Sequence, residues 1–234
     1  MGRDMTIGEY RPEELLGPLN EVEHKHAPAS LYAAGDVSLL GQGARVAIVG
    51  SRKASSAGLA RARRLSRLLV AREVVVVSGL AEGIDTAAHT AALEAGGRTV
   101  AVIGTPLNEV YPRKNAELQE RLMREQLVIS QFPLGMPTQR QNFPLRNRTM
   151  ALISDATAII EASDTSGSLS QGWEAIRLGR GLFIAKSLVE DKQLRWPQEL
   201  LHYGARILSE ETLEELFDVL PPRTAVELHD AVPF

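Results

Sequence analysis

A chain of 234 residues that is 44% hydrophobic and 24% charged carries enough apolar material for one α/β domain with short extensions. No run of about 18 apolar residues is present, which argues against a membrane-spanning helix, and zero cysteines exclude disulfides, zinc-thiolate sites and cysteine nucleophiles. The net charge of −3 makes no global case for a polyanionic partner, but it hides two blocks: seven basic and no acidic residues from Ser51 to Arg72, and seven acidic residues from Ser209 to Asp230 opposed only by Arg223.

Residues 1–43 read as an N-terminal arm packing on the core, with a short helix near Pro12–Leu19. The opening MGRDMTIGEYRPEELL lacks an apolar signal core, so the chain is expected to be cytosolic. His24 and His26 have no companion ligands, and no metal site is expected. The first strand, Val46–Val49, runs into GSRKASSAG, a stretch of small residues carrying Arg52 and Lys53 that suggests close approach of an anion. In Leu59–Arg72, residues Leu59, Ala62, Leu65 and Leu69 share one helical face, and Arg61, Arg64 and Arg67 lie on the other. That basic face is expected to be solvated, unless it extends an anion site.

The second strand, Val74–Val77, leads through Ser78, Gly79 and Gly83 to a helix over Thr86–Ala95, with Asp85 as its expected N-cap and Gly96-Gly97 as its stop. Asp85 and His89 stand four apart. They read as a cap and a packed imidazole, with an acid/base pair as the alternative. Further apolar runs follow at Thr99–Ile103, Leu127–Ile129 and Ala158–Ile160, with weaker ones at Phe183-Ile184 and Ile207-Leu208. They are continuous rather than alternating, as in strands buried on both faces of a parallel sheet. Between them lie Arg146-Asn147-Arg148, the loop Ser166-Gly167-Ser168, and a helix around Trp173–Leu178 closed by Gly179.

This alternation predicts an α/β fold with a doubly wound, mostly parallel sheet over residues 44–209, followed by an acidic helix and tail over 210–234. Ligands of such sheets bind beyond the C-terminal strand ends, where the Gly/Ser loops gather. Neither a P-loop nor the dinucleotide fingerprint is present, and no G-x-S-x-G or triad pattern marks a nucleophile.

Six ordered motifs, VAIVGSRKAS, VVVVSGLAEGIDTAAHTAAL, GGRTVAVIG, YP, FPLRNRTMA and IIEASDTSGSL…EAIRLGR, resemble the DNA-processing protein A family (DprA, also called Smf) from about Tyr32 to Gly181. The resemblance implies an extended Rossmann-like domain that binds single-stranded DNA without a cofactor, acts in natural transformation and recombination, and has RecA as a partner and a homodimer as an assembly option. It implies phosphate-binding roles for Gly50, Ser51, Arg52, Lys53, Ser78 and Gly79, a shaping role for Gly83 and Asp85, and pocket roles for Arg146, Asn147, Arg148, Ser166, Gly167 and Ser168. Gln131, Thr105-Pro106 and the segment after Phe183 depart from the family pattern, and the chain reads as a compact, core-only member. Two alternatives stand beside DNA binding. One is a nucleotide-sensing domain. The other is a LOG-type nucleoside-monophosphate hydrolase, for which Gln171 occupies the place of the required glutamate and Glu174 lies almost a turn further on.

Overall fold

A computed structural model describes residues 6–222. In chain order the elements are β1 (Ile7–Tyr10), α1 (Pro12–Leu16), α2 (Glu21–His26), β2 (Leu31–Gly35), β3 (Arg45–Gly50), α3 (Ser56–Ala71), β4 (Val75–Ser78), α4 (Ile84–Glu94), β5 (Thr99–Ile103), α5 (Ala116–Glu125), β6 (Leu127–Ser130), α6 (Asn142–Ile153), β7 (Ala156–Glu161), α7 (Ser168–Arg177), β8 (Gly181–Ala185), α8 (Lys186–Val189), α9 (Trp196–His202), β9 (Arg206–Leu208) and α10 (Leu213–Asp218). Short 3-10 turns at Val37–Leu40 and Arg113–Asn115 complete the path. None of the described helices is long and apolar enough to cross a membrane.

The strands form one nine-stranded sheet in the order β1-β2-β6-β5-β4-β3-β7-β8-β9. From β6 to β9 every pairing is parallel. The chain steps outward from β3 through β4 and β5 to β6, then returns to the other side of β3 and steps outward again through β7, β8 and β9. The direction reverses between β3 and β7, the topological switch point at which doubly wound sheets open a crevice.

Side chains that alternate along each parallel strand reach two separate cores. On β3, Val46 and Ile48 pack with Ala62, Leu65 and Leu69 of α3 and Ile84 and Ala88 of α4. Ala47 and Val49 face the opposite layer, with Met150 and Ile153 of α6 and Leu200 of α9. Burial on both faces is why the strands read as unbroken apolar runs.

Three local expectations change. Residues 7–35, read as an arm, supply two strands of the sheet itself: β1 pairs antiparallel with β2, and β2 antiparallel with β6. The helix after Gly83 begins at Ile84, with Gly83 as its N-cap, and Asp85 is a buried first-turn residue. The cap of α3 is Ser55, whose hydroxyl accepts the Gly58 amide at 3.0 Å. Lastly, the basic face of α3 is not simply solvated. Arg64 pairs with Glu210, and Arg72 pairs with Glu214 at 2.6 Å while lying 3.8 Å from the centroid of the Phe217 ring. The basic block and the acidic block meet, anchored by the fully buried Leu216.

Candidate nucleic-acid interface

The GSR turn leaves the C-terminal end of β3 pinned from both sides. The Ser51 amide donates to the Glu161 carbonyl at the end of β7 (2.6 Å), and the Ser51 carbonyl accepts the Ile84 amide at the start of α4 (3.2 Å). Its glycines serve this closeness. A Cβ on Gly50 would lie 2.6 Å from Ile84 Cγ1 and 2.8 Å from the Glu161 carbonyl oxygen. Gly83, at φ +77°, has no room for a Cβ against the Ser51 carbonyl. These glycines admit neighbouring backbone and side chain, and the rigid turn they allow carries Arg52 and Lys53 outward, both exposed.

Beneath the turn lies Arg146. Its buried guanidinium donates to the Gly79 carbonyl (2.5 Å), the Val102 carbonyl (2.7 Å) and the Asn147 side-chain oxygen (3.0 Å), linking α6 to β5 and the loop after β4. Gly79 is where Arg146 and Asp85 converge: a Cβ there would overlap Arg146 Nη1 and lie 2.7 Å from Asp85 Oδ2. Burial pushes the Asp85 carboxyl above its ordinary range, opposed by the positive charge of Arg146 and by the Ala81 amide that donates to it at 3.3 Å. Asn147 extends the network by donating to the Gly167 carbonyl at 3.1 Å, which fixes the loop before α7.

These loops enclose a cleft of about 550 Å³ at the switch point. Arg52, Lys53 and Arg146 reach it, and Asp85 is its one lining acid among the described residues. Its lining also bears hydroxyls from Ser51, Ser163, Thr165, Ser166, Ser168 and Ser170. At the mouth, the Arg52 guanidinium carbon lies 5.4 Å from the Phe143 ring centroid and 6.0 Å from that of Tyr111, and the two rings are 5.4 Å apart. A planar cation beside two aromatic faces can meet a phosphate and a base together.

Of the residues singled out from sequence, Gly50, Ser51, Arg52, Lys53, Asp85, Arg146, Asn147, Ser166, Gly167 and Ser168 line this cleft. Ser78 does not, since its buried hydroxyl donates to the Ile48 carbonyl at 2.6 Å. Gly79 and Gly83 act through the packing described above. Arg148 points elsewhere, its Nε 3.6 Å from Glu174. The lining residues Ser163 and Thr165 were not singled out. The hydroxyl-rich ASDTSGS segment was their signal, visible in composition though not in any motif. Of the departures from the family pattern, Gln131 accepts the Thr149 hydroxyl, and the Thr105 carbonyl accepts the Ser130 hydroxyl at 2.7 Å.

The Asp85–His89 spacing resolves into packing. Fully buried His89 meets the Thr99 hydroxyl through Nδ1 at 2.8 Å, and that hydroxyl donates to the Val76 carbonyl. Burial lowers its pKa to about 3, and the Arg146 charge acts in the same direction. Because the folded pKa lies below the unfolded value near 6.5, the unfolded chain binds the extra proton. The His89 contribution is therefore complete above about pH 6.5 and declines as pH falls toward 3, at up to about 1.4 kcal/mol per pH unit. Asp85, with its raised pKa, has the opposite sign: its contribution is present at low pH and is lost as pH rises through its folded pKa. Urea titrations at pH steps from about 4 to about 6 should give a shallower decline on acidification for His89→Asn than for the wild type. Parallel curves would remove His89 as a source of acid sensitivity.

A switch-point crevice lined by arginine, lysine and hydroxyls, on a doubly wound sheet, defines a Rossmann-like protein with a cationic, hydroxyl-rich candidate site. The comparisons narrow the class. The family model for DNA recombination-mediator protein A matches residues 10–220, and the chain belongs to that family. It is similar to the DNA processing protein DprA of Bacillus subtilis, at 33% identity over 196 residues that make up 84% of this chain and 65% of that protein. Its fold matches the X-ray structure of DprA from Streptococcus pneumoniae (TM-score 0.77, 34% identity, 89% of this chain and 74% of that one). It also matches Helicobacter pylori DprA, a structure described for its single-stranded DNA binding mode (TM-score 0.78, 25% identity, 94% of this chain and 100% of that one). The chain spans about half to two thirds of the length of the curated relatives it matches.

Proposed function

We propose that this chain binds single-stranded DNA at the switch-point cleft, as a non-enzymatic DNA-processing protein that protects the strand in transformation and recombination. The observation that carries this reading is the Arg52–Phe143–Tyr111 cluster at the mouth of a cleft holding three cations and one buried acid. Phosphates would meet Arg52, Lys53 and the hydroxyls of Ser51, Ser166 and Ser168, and a base would stack on Phe143 or Tyr111. Gly50, Asn147 and Gly167 shape the cleft wall, and Ser78, Gly79, Gly83, Asp85 and Arg146 hold the loops beneath it. RecA as the recipient of the bound strand, and a homodimer covering it, belong to the proposal through family membership.

Base cleavage is disfavoured by the residues at the place where a LOG-type hydrolase carries its glutamate. Gln171, in the place a LOG-type hydrolase needs glutamate, donates to the Thr157 hydroxyl at 3.2 Å. Glu174 is buried between Arg177 (3.0 Å) and Arg148 (3.6 Å) and lies outside the cleft lining. Fluorescence anisotropy with labelled oligothymidylate, a duplex and mononucleotides, across a salt series, tests the proposal. Single strands should bind best, with log K falling against log salt at a slope of about −0.7 for each phosphate engaged. Saturable mononucleotide binding without DNA binding would replace the proposal with nucleotide sensing, and release of free base would replace it with hydrolysis.

A further inference from the structure

A second groove, of about 320 Å³, opens on the same C-terminal sheet edge between α3 and the ends of β7, β8 and β9. Its floor is apolar, formed by Leu65, Leu68 and Leu213 among others, and its cations are Arg61, Arg64 and Lys186. Each cation has an acidic partner from this same chain: Arg61 with Glu161 at 3.8 Å, Arg64 with Glu210, and Lys186 with Glu211 at 4.0 Å.

The three partners differ in how firmly they are held. Glu161 accepts the Ser55 amide (2.7 Å) and hydroxyl (2.5 Å), and its side chain is 21% exposed. It is a structural acceptor at the start of α3. The Glu210 and Glu211 side chains are 73% and 72% exposed. Their backbone is fixed, because the Ser209 amide donates to Thr212 Oγ1 at 3.0 Å and the Thr212 hydroxyl donates to the Ile207 carbonyl at 2.6 Å. Two exposed carboxylates are thus presented on a fixed turn, Glu211 also accepting a hydrogen bond from the Ser209 side chain, over cations they meet in exposed ion pairs, which are weak individually and weaker in salt.

The groove adjoins the cleft. Glu161 ends β7 beside Arg61, and two residues later Ser163 lines the cleft. We propose that this groove is a second contact for the single strand leaving the cleft, and that Glu210 and Glu211 occupy it as anionic stand-ins which the phosphodiester backbone displaces. Backbone phosphates would take Arg64 and Lys186, and the strand's sugars and bases would lie on the apolar floor. The inference rests on the proposed DNA-binding reading and adds its path and its internal competitor. It also gives the acidic block a role that an exposed helix would not need.

The test measures anisotropy with labelled oligothymidylate over a salt series for four proteins: wild type, Glu210→Gln/Glu211→Gln, the same pair with Arg64→Ala/Lys186→Ala added, and the charge-matched control Glu94→Gln/Glu117→Gln. Removing the stand-ins should tighten binding about fivefold or more over the control at low salt. The slope should steepen by about 1.4, for two further phosphates at about 0.7 each. Adding Arg64→Ala/Lys186→Ala should abolish both gains. If the wild type binds and the Glu210/Glu211 variant behaves as the control does, the groove is not on the strand's path and the cleft reading stands. If neither the wild type nor this variant binds, the DNA-binding reading itself falls, and the groove with it.

Discussion

Replacing Arg146 with methionine is expected to lower the unfolding free energy by about 3–5 kcal/mol, read as a fall in the urea midpoint at unchanged m-value. The carbonyls of Gly79 and Val102 would each lose the charged donor of a buried guanidinium. Asp85, buried across Gly79, would lose the positive charge that opposes its desolvation. For a domain whose total stability is of order 5–15 kcal/mol this is a large fraction. Lysine should rescue little, because one ammonium cannot reproduce a planar fork reaching Gly79, Val102 and Asn147 at once. Adding Asp85→Asn should recover part of the loss by removing the unopposed carboxyl. A fall of less than 1 kcal/mol in Arg146→Met, or no recovery in the double variant, would contradict the arrangement described for this network.

Arg146 also shows where sequence reading reaches its limit. The parallel strands were legible because residues such as Val75, Val76 and Val77 are buried on both faces and need no alternation. From their order with the helices came the doubly wound sheet. β1 and β2 were not legible: Ile7–Tyr10 is partly exposed, and it becomes a strand by pairing with Leu31–Gly35, which in turn needs Leu127–Ser130 a hundred residues away. The cluster of Arg146, Asn147 and Arg148 was legible as a polar signal. The division of labour within it was not, because a helix sends consecutive residues in different directions. Arg146 turns under β4 and β5, and Arg148 turns to Glu174. Asp85 looked like a cap because Gly83-Ile84-Asp85 opens a helix, but it stands inside the first turn of α4, where its buried carboxyl meets the Ala81 amide and the charge of Arg146. The opposite charges of residues 51–72 and 209–218 stood out in composition. That they would meet depended on α10 docking through Leu216 and Phe217, a tertiary event.

At the mouth of the cleft, Arg52→Ala is expected to weaken single-stranded DNA binding about ten- to fifty-fold at low salt while leaving stability within about 0.5 kcal/mol of wild type. The stability expectation follows from exposure: Arg52 has no ion pair among the described residues, and its guanidinium carbon lies 5.4 Å from the Phe143 ring centroid and 6.0 Å from that of Tyr111. The binding expectation follows from its two roles, which further variants separate. A lost phosphate contact removes counterion release, so Arg52→Ala should flatten the salt slope by about 0.7. Arg52→Lys keeps the charge and should keep the slope, yet bind several-fold more weakly, because an ammonium lacks the planar guanidinium face. Phe143→Ala should lower affinity with the slope unchanged, since an aromatic platform releases no ions. If arginine and ring act on one nucleotide, the double variant Arg52→Ala/Phe143→Ala should lose less than the sum of the two single losses, as contacting residues do. If Arg52→Ala changes neither affinity nor slope while the wild type binds DNA, the strand lies elsewhere on this edge, and the cluster of Arg52, Phe143 and Tyr111 is packing alone.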